Sequence, residues 1–139
     1  MIILDTNVVS EIMRQVPEKS VLAWLDRQVE GSIWTTSITV FEVIAGIEIL
    51  PPSRRRAALS VDFEQFLDAF IEGRVIAFDA RAAHASARLM AQRRRAGRAG
   101  EFRDTMIAGI AISTGAALAT RNVRHFDDLS VTVVDPWIA

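Results

Sequence analysis

The sequence contains no cysteine, only two histidines and a single lysine, Lys19. Without cysteine, the chain has no disulfides, no thiolate metal site and no cysteine nucleophile. Neither His84 nor His125 has a carboxylate at a sequence spacing that indicates a catalytic pair, and this disfavours a nuclease mechanism that uses two histidines. A Gly-rich phosphate loop and a serine in a nucleophile elbow are also missing, so the chemistry must come from other side chains.

The chain also lacks an apolar run of the roughly 20 residues that a membrane span requires. Its first residues carry no basic segment of the kind that opens a signal peptide, so we expect a cytoplasmic protein with no membrane contact. The length predicts a single domain, residues 1–139, with a substantial hydrophobic core. Half of the residues are apolar and 24% are charged, which is typical of a folded chain.

Arginine supplies almost all of the positive charge, although the net charge is only −1. The arginines cluster at 54–56 and again at Arg88, Arg93, Arg94, Arg95 and Arg98. Arginine is well suited to bidentate contacts with phosphate, so the clusters indicate a possible nucleic-acid ligand. A solvated helix face explains the same clusters, and the sequence leaves both interpretations open.

Short apolar or β-branched segments alternate with helical patterns along the whole chain. Such alternation predicts right-handed βαβ units and a parallel sheet covered by helices. The predicted strands are 2–5, 33–36, 74–78, 117–120 and 131–134. The predicted helices are 7–14, 18–30, 37 or 39 to 50, 53–72, 79–97 and 103–114.

Three carboxylates stand at informative positions in this pattern. Asp5 ends the first buried strand, and in open α/β sheets ligands bind outside the carboxyl ends of the strands. Glu42 lies inside an otherwise apolar helix, and Asp104 lies in the first turn of another. Each has a structural alternative: Asp5 could cap a helix, Glu42 could close a capping box with Thr39, and Asp104 could complement a helix dipole.

Together the three carboxylates favour a shared role, because an unpaired charge beside buried elements is costly. They would repel one another unless a cation joined them. Mg²⁺ or Mn²⁺ is the natural candidate, since both prefer hard oxygen ligands and need neither histidine nor cysteine.

Four motifs, in order and spacing, make the chain resemble the PIN-domain family, and they cover nearly its whole length. Within that family it is most similar to the VapC-type toxins of bacterial toxin–antitoxin pairs, in particular the FitB-like branch. The motifs are Ile-Leu-Asp5-Thr6-Asn7, Thr36-Ser37-Ile38-Thr39-Val40-Phe41-Glu42, Asp104-Thr105-Met106-Ile107-Ala108 and Ala119-Thr120-Arg121-Asn122-Val123-Arg124-His125-Phe126.

The resemblance implies an α/β/α sandwich around a central parallel sheet of about five strands. It also implies a Mg²⁺-dependent endoribonuclease that cleaves RNA phosphodiester bonds by metal-activated water. The expected partners are an RNA substrate, a small antitoxin protein with a DNA-binding domain, and operator DNA bound through that antitoxin. Two alternatives stay open: a FitB-like subunit of a repressor complex with little turnover, and a free PIN nuclease of RNA processing.

The resemblance also assigns roles to single residues. Asp5, Glu42 and Asp104 match the catalytic, metal-binding acids. Asn122 falls where the family often has a fourth acid, and Glu101, near the third, is either a substitute acid or a surface charge. The residues expected to support the acids are Thr6, Asn7, Thr120 and Asn122, and those expected to contact the RNA backbone are Arg93, Arg94, Arg95 and Arg98.

Two surfaces complete the expectations. The helix Ile38–Leu50 is apolar nearly all round, so we expect a homodimer that covers its outer side. The alternative is that the helix 53–72 shields it. We expect the antitoxin to insert an arginine among the three acids and to dock along residues 8–25, including Val9, Ile12, Met13 and Trp24.

Overall fold

The computed structural model describes residues 1–139 and contains one five-stranded sheet with helices between its strands. The strands are β1 (Ile2–Leu4), β2 (Ile33–Thr36), β3 (Val75–Ile76), β4 (Ala117–Ala119) and β5 (Val133–Val134). The helices are α1 (Thr6–Ile12), α2 (Lys19–Asp26), α3 (Ser37–Ile49), α4 (Arg54–Gln65), α5 (Ala80–Arg95) and α6 (Phe102–Thr114). A π-helical segment, Phe66–Ile71, prolongs α4, and a 3₁₀ turn covers Val123–Phe126.

The strand order is β3-β2-β1-β4-β5, and every neighbouring pair is parallel. The predicted parallel α/β fold is therefore confirmed. β1 is central and pairs with β2 on one side and with β4 on the other, Ile2 opposite Ala117 and Leu4 opposite Ala119. Because the strands are parallel, their carboxyl ends lie on the same side of the sheet. Asp5, Thr36 and Thr120 lie at those ends, on neighbouring strands.

Side chains from the sheet enter two separate hydrophobic cores, one on each face. Ile3 and Leu118 pack with α5 and α6, whereas Leu4 and Ala119 pack with α1, α2 and α4. This alternation follows from the strand period of two, which sends successive side chains to opposite faces. The sheet is thus covered on both sides, as the predicted sandwich requires.

Several elements are shorter than the sequence predicts, and their hydrogen bonds show why. α2 ends at Asp26 rather than near residue 30, and the Gln28 side chain donates to the Trp24 carbonyl, 2.7 Å away. β3 pairs with β2 at only two residues, after which the Phe78 N–H donates to the Ser37 hydroxyl. β5 is likewise an edge strand with only two paired residues.

Helices α5 and α6 approach one another closely at Gly109. A Cβ atom at this position would lie 1.8 Å from the Ser86 hydroxyl and 2.7 Å from the Ala82 carbonyl oxygen. Only glycine allows the two helices to pack at this distance. The contact fixes α6, and with it Asp104, relative to α5.

The outer side of α3 exposes apolar side chains. Ile38 and Ile47 are buried, but Phe41, Ile44 and Ile49 are 61%, 40% and 83% exposed. α4 therefore does not shield the whole of α3. None of the helices combines the length and apolar composition needed to cross a membrane.

Candidate active site

Asp5 lies at the carboxyl end of β1 and is buried, with 3% of its surface exposed. One carboxylate oxygen, Oδ1, accepts a hydrogen bond from the Thr6 backbone N–H at 2.8 Å and so caps α1. The other, Oδ2, accepts from the Thr120 hydroxyl at 2.7 Å and from the Asn7 amide at 3.1 Å. Asp5 is therefore a helix cap and also the centre of a polar network that joins β1 to β4.

The electrostatics of Asp5 reflect both its burial and the charges of the other two predicted acids. Burial raises the pKa of Asp5 to about 6, against the hydrogen bonds from Thr120 and Thr6, which lower it. The negative charges of Asp104 and Glu42 raise the pKa further. Asp104 and Glu42 therefore both lie within electrostatic range of Asp5, although the three residues are far apart in the sequence.

Glu42 is held by a chain of hydroxyl groups. Its Oε1 accepts a hydrogen bond from the Thr6 hydroxyl at 2.8 Å, and the Thr6 oxygen lies 3.0 Å from the Thr39 hydroxyl. Because Thr6 has one hydroxyl hydrogen, which it donates to Glu42, Thr39 must donate to Thr6. The hydrogen bonds therefore run from Thr39 to Thr6 and from Thr6 to the Glu42 carboxylate.

The capping-box alternative for Glu42 is wrong. The N-cap of α3 is Thr36, whose hydroxyl accepts from the Thr39 N–H at 3.1 Å. Glu42 lies six residues beyond this cap, out of reach of the helix terminus, so its side chain is available to the site.

Asp104 lies in the first turn of α6, where its Oδ2 is 3.0 Å from Nδ1 of His125. Sequence reasoning missed this contact because 21 residues separate the two, and only the 3₁₀ turn brings His125 to α6. Glu101 caps the same helix by accepting from the Asp104 N–H at 3.0 Å, and it pairs with Arg103 at 3.1 Å. Its position is therefore that of a cap rather than of a substitute acid.

The remaining polar residues differ in how they reach the site. The Thr120 hydroxyl oxygen accepts from the Asn122 backbone N–H at 3.0 Å, and the side-chain oxygen Oδ1 of Asn7 accepts from the Arg121 backbone N–H at 3.2 Å. Thr6, Asn7 and Thr120 thus contact the acids through their side chains. Asn122 joins the network through its backbone only.

Arg93 does not have the free, exposed side chain that the predicted contact with the RNA backbone assumes. Arg93 is only 4% exposed, and its Nε and Nη2 both donate to Asp128 at 2.8 Å. Nη2 also donates to the His125 carbonyl at 2.7 Å, so this side chain anchors the 3₁₀ turn from inside. Arg94 and Arg95 are exposed, and Arg98 pairs with Asp127 at 2.7 Å.

The predicted docking surface along residues 8–25 is wrong for two of its four named residues. Val9 is fully buried and Trp24 is 4% exposed, because both belong to the core between the sheet and α2. Ile12 and Met13 are partly exposed and remain available to a partner.

The donor chemistry of the site fits a hard divalent cation, since Asp5, Glu42 and Asp104 offer only oxygen atoms and repel one another. As placed, no three His, Asp or Glu side chains surround a common point where an ion could bind. The acids would therefore have to draw together to share one. Arg103, 3.8 Å from Glu42, is the nearest positive charge on that side.

Comparison with known proteins gives the chain its relatives. A family model described as PIN domain matches residues 2–131. The chain is 40% identical to the plasmid stability protein StbB of Pseudomonas syringae, and the alignment covers the full length of both proteins. It is 35% identical to the VapC ribonuclease Y4jK of Sinorhizobium fredii, with 99% of this chain and 98% of the relative aligned.

Two solved structures are similar over nearly their whole length. The FitAcB structure from Neisseria gonorrhoeae superposes with a TM-score of 0.90 and 32% identity, and covers all of both chains. A structure of FitAB bound to a DNA fragment, IR36, superposes with a TM-score of 0.89 and the same identity, over 99% of this chain and 96% of that one.

Proposed function

The chain belongs to the PIN-domain family, and from that premise we propose that it is an endoribonuclease, the toxin of a VapBC-type toxin–antitoxin module. The observation that carries the proposal is the convergence of three acids at the carboxyl-terminal end of the sheet: Thr6 hydrogen-bonds to both Asp5 and Glu42, and Asp104 lies within electrostatic range of Asp5. Whole-length similarity to a VapC ribonuclease and to a FitAcB structure supports it. Residues 1–139 act as a single PIN domain in the cytoplasm.

Asp5, Glu42 and Asp104 would hold a divalent cation, which PIN nucleases generally use, and we propose Mg²⁺ or Mn²⁺. When bound, such an ion lowers the pKa of water and offsets charge on the attacked phosphate. The chain's own part is to orient the acids. Thr120 and Asn7 fix Asp5, Thr6 fixes Glu42, and His125 fixes Asp104.

The proposed partners follow from the same relatives. A small antitoxin with a DNA-binding domain would inhibit the site by inserting an arginine, whose fork can bond two carboxylates, and would link the complex to operator DNA. We also propose a homodimer, because Phe41, Ile44 and Ile49 leave an apolar face on α3 that a second subunit could cover.

The purified chain should cleave total RNA in the presence of Mg²⁺ or Mn²⁺ and stop when EDTA is added. Asp5→Asn and Asp104→Asn should each abolish cleavage, and the double variant should lose little more, because the acids act as a unit. Asp62→Asn is the matched control, since Asp62 is exposed on α4, away from the site. Full activity in EDTA, or a wild-type rate for Asp5→Asn, would contradict the proposal.

The two histidines provide a second comparison. The sequence alone predicts that neither contributes to cleavage, but the contact with Asp104 changes this expectation for His125. His125→Ala should lower the cleavage rate because Asp104 loses the group that orients it. His84→Ala, on an exposed position of α5, should not. Equal rates for the two variants would show that the contact has no functional role.

A further inference from the structure

A cavity of about 200 Å³ opens beside Asp104, at the loop between α5 and α6. We call it the arginine pocket; Arg93, Arg98, Gly100, Asp104, Arg124 and His125 line it. A second cavity, of about 110 Å³, shares Arg93, Arg98 and Gly100 with the first and continues to Arg94 and Phe102. The two cavities adjoin and form one groove, whose first part includes Asp104 of the proposed active site.

The floor of the arginine pocket is a buried guanidinium group with a donor to spare. Arg93 uses Nε and both hydrogens of Nη2 on Asp128 and the His125 carbonyl. Its Nη1 has only the Thr105 hydroxyl, at 3.4 Å, so one Nη1 hydrogen has no partner. A Cβ atom on Gly100 would lie 2.9 Å from this nitrogen, so glycine keeps it accessible from the pocket.

The groove leaves two arginines without an ion pair. Arg93 and Arg98 pair with Asp128 and Asp127. Of the two acids that line the groove, Glu101 pairs with Arg103, and Asp104 contacts His125 but no arginine. Arg94 and Arg124 are exposed on this rim and have no ion pair. The groove is therefore complementary to a small anion such as a phosphate group.

An exposed aromatic ring lies next to these charges. Phe102 is the first residue of α6, two positions before Asp104, and is 64% exposed. A phenyl ring beside free arginines is the arrangement by which proteins bind single-stranded nucleic acid, because the bases stack on the ring while the cations contact the backbone.

We infer that this groove binds one nucleotide of single-stranded RNA adjacent to the scissile bond. Its phosphate contacts Arg124 and the free Nη1 hydrogen of Arg93, and its base stacks on Phe102. The inference rests on the proposed nuclease function, because Asp104 belongs both to the acid cluster and to the wall of the arginine pocket. Arg93 thus contributes from the floor of the pocket, and the exposed ligands are Arg124 and Phe102.

The test measures binding separately from cleavage. A fluorescein-labelled single-stranded 12-mer RNA of mixed sequence is titrated in EDTA, and fluorescence anisotropy is recorded at several salt concentrations. Arg124→Gln should weaken binding about fivefold at 0.1 M salt and reduce the slope of log K against log salt by about 0.7, the value for one lost phosphate contact. Arg55→Gln is the matched control, because Arg55 is exposed on α4, beyond the far end of α3.

Phe102→Ala should weaken binding about tenfold without changing the salt slope, because stacking involves no counterion release. Phe102→Trp should keep the affinity. Cleavage of total RNA in Mg²⁺ by the same variants should follow the order of their affinities.

Failure of this inference differs from failure of the proposed function. If the wild-type chain cleaves RNA while Arg124→Gln and Phe102→Ala bind as tightly as Arg55→Gln, the groove is not an RNA site and the nuclease proposal stands. If Arg124→Gln and Phe102→Ala instead leave RNA binding unchanged and weaken a complex with an acidic protein partner, the groove is a protein interface and the inference is wrong. If no metal supports cleavage but both variants lose RNA affinity as described, the groove is supported and the nuclease proposal fails.

Discussion

The pair formed by Arg93 and Asp128 gives a stability prediction that the structure makes quantitative. Asp128→Asn keeps the shape of the side chain but removes the charge that two nitrogen atoms of Arg93 contact at 2.8 Å. The asparagine amide would direct hydrogens at a guanidinium group that also has only donors. Because Arg93 is only 4% exposed, water cannot replace the lost hydrogen bonds to its guanidinium group.

The expected loss of unfolding free energy is smaller than that for a fully buried ion pair and larger than that for a surface ion pair. Removing one partner of a buried pair costs about 3–5 kcal/mol. The Asp128 side chain is 26% exposed, so water can relieve part of this cost, and we expect about 2–3 kcal/mol. For a chain of 139 residues this corresponds to a fall in Tm of about 8 °C.

The same pair predicts a dependence on pH. Arg93 lowers the pKa of Asp128 below its ordinary value of 3.8. A carboxyl group whose pKa is lower in the folded state stabilises the fold above the unfolded pKa and loses this effect as the pH falls through the folded pKa. The difference between wild type and Asp128→Asn should therefore be complete at pH 7 and shrink below about pH 4.

Thermal unfolding followed by circular dichroism at pH 7 and pH 3 measures both effects. The neighbouring Asp127→Asn is the matched control: Asp127 pairs with the more exposed Arg98, so its loss should change Tm little. A Tm for Asp128→Asn equal to that of the control at pH 7 would refute the reasoning. So would a difference from wild type that is as large at pH 3 as at pH 7.

Three further predictions concern packing, the acid network and assembly. Gly109→Ala should destabilise the chain by at least about 2 kcal/mol, because the new methyl group would lie 1.8 Å from the Ser86 hydroxyl of α5. Gly46→Ala, whose methyl group would meet open space, should not destabilise it. Urea unfolding compares the two variants, and equal midpoints would be inconsistent with the close contact between α5 and α6. Thr120→Val should raise the pKa of Asp5 above its value of about 6, because the hydroxyl that lowers it is gone; an unchanged Asp5 carboxyl titration by NMR would contradict this. Light scattering should give a dimer for the wild-type chain and a monomer for Phe41→Glu, since Phe41 is 61% exposed on α3; a monomeric wild type would exclude the stable dimer.

The parallel fold could be predicted because its signals are local. Apolar strands, helix caps and the alternation of strands and helices are visible within windows of ten residues, and Asp79 caps α5 at the start of the predicted helix 79–97. The edge strands were predicted too long, because their ends depend on which neighbour offers a hydrogen bond. The π-helical and 3₁₀ segments have no comparable pattern in the sequence.

The sequence prediction of the arginine cluster failed in an instructive way. A run of arginines at a helix end suggests a solvated face, and Arg94 and Arg95 are on such a face. Arg93 is buried because it continues a stripe with Ala82, Ser86 and Leu89, at spacings of three and four that place all four on one side of α5. That periodicity was available in the sequence. The contact of His125 with Asp104 was not, because it depends on tertiary structure.

The central position of β1 has a consequence for the order in which the protein is made. β1 pairs with β4, so Leu4 meets Ala119 only after about five sixths of the chain has been synthesised, and Asp5 receives the Thr120 hydrogen bond no earlier. Pairings between such distant segments form slowly, because most of the chain must be closed into a loop first. A nascent chain on the ribosome therefore carries Asp5 and Glu42 well before it carries Asp104, Thr120 or His125. The acid cluster is assembled only near the end of translation, and until then the growing chain has no complete site with which to act on the messenger or on the ribosome that is making it.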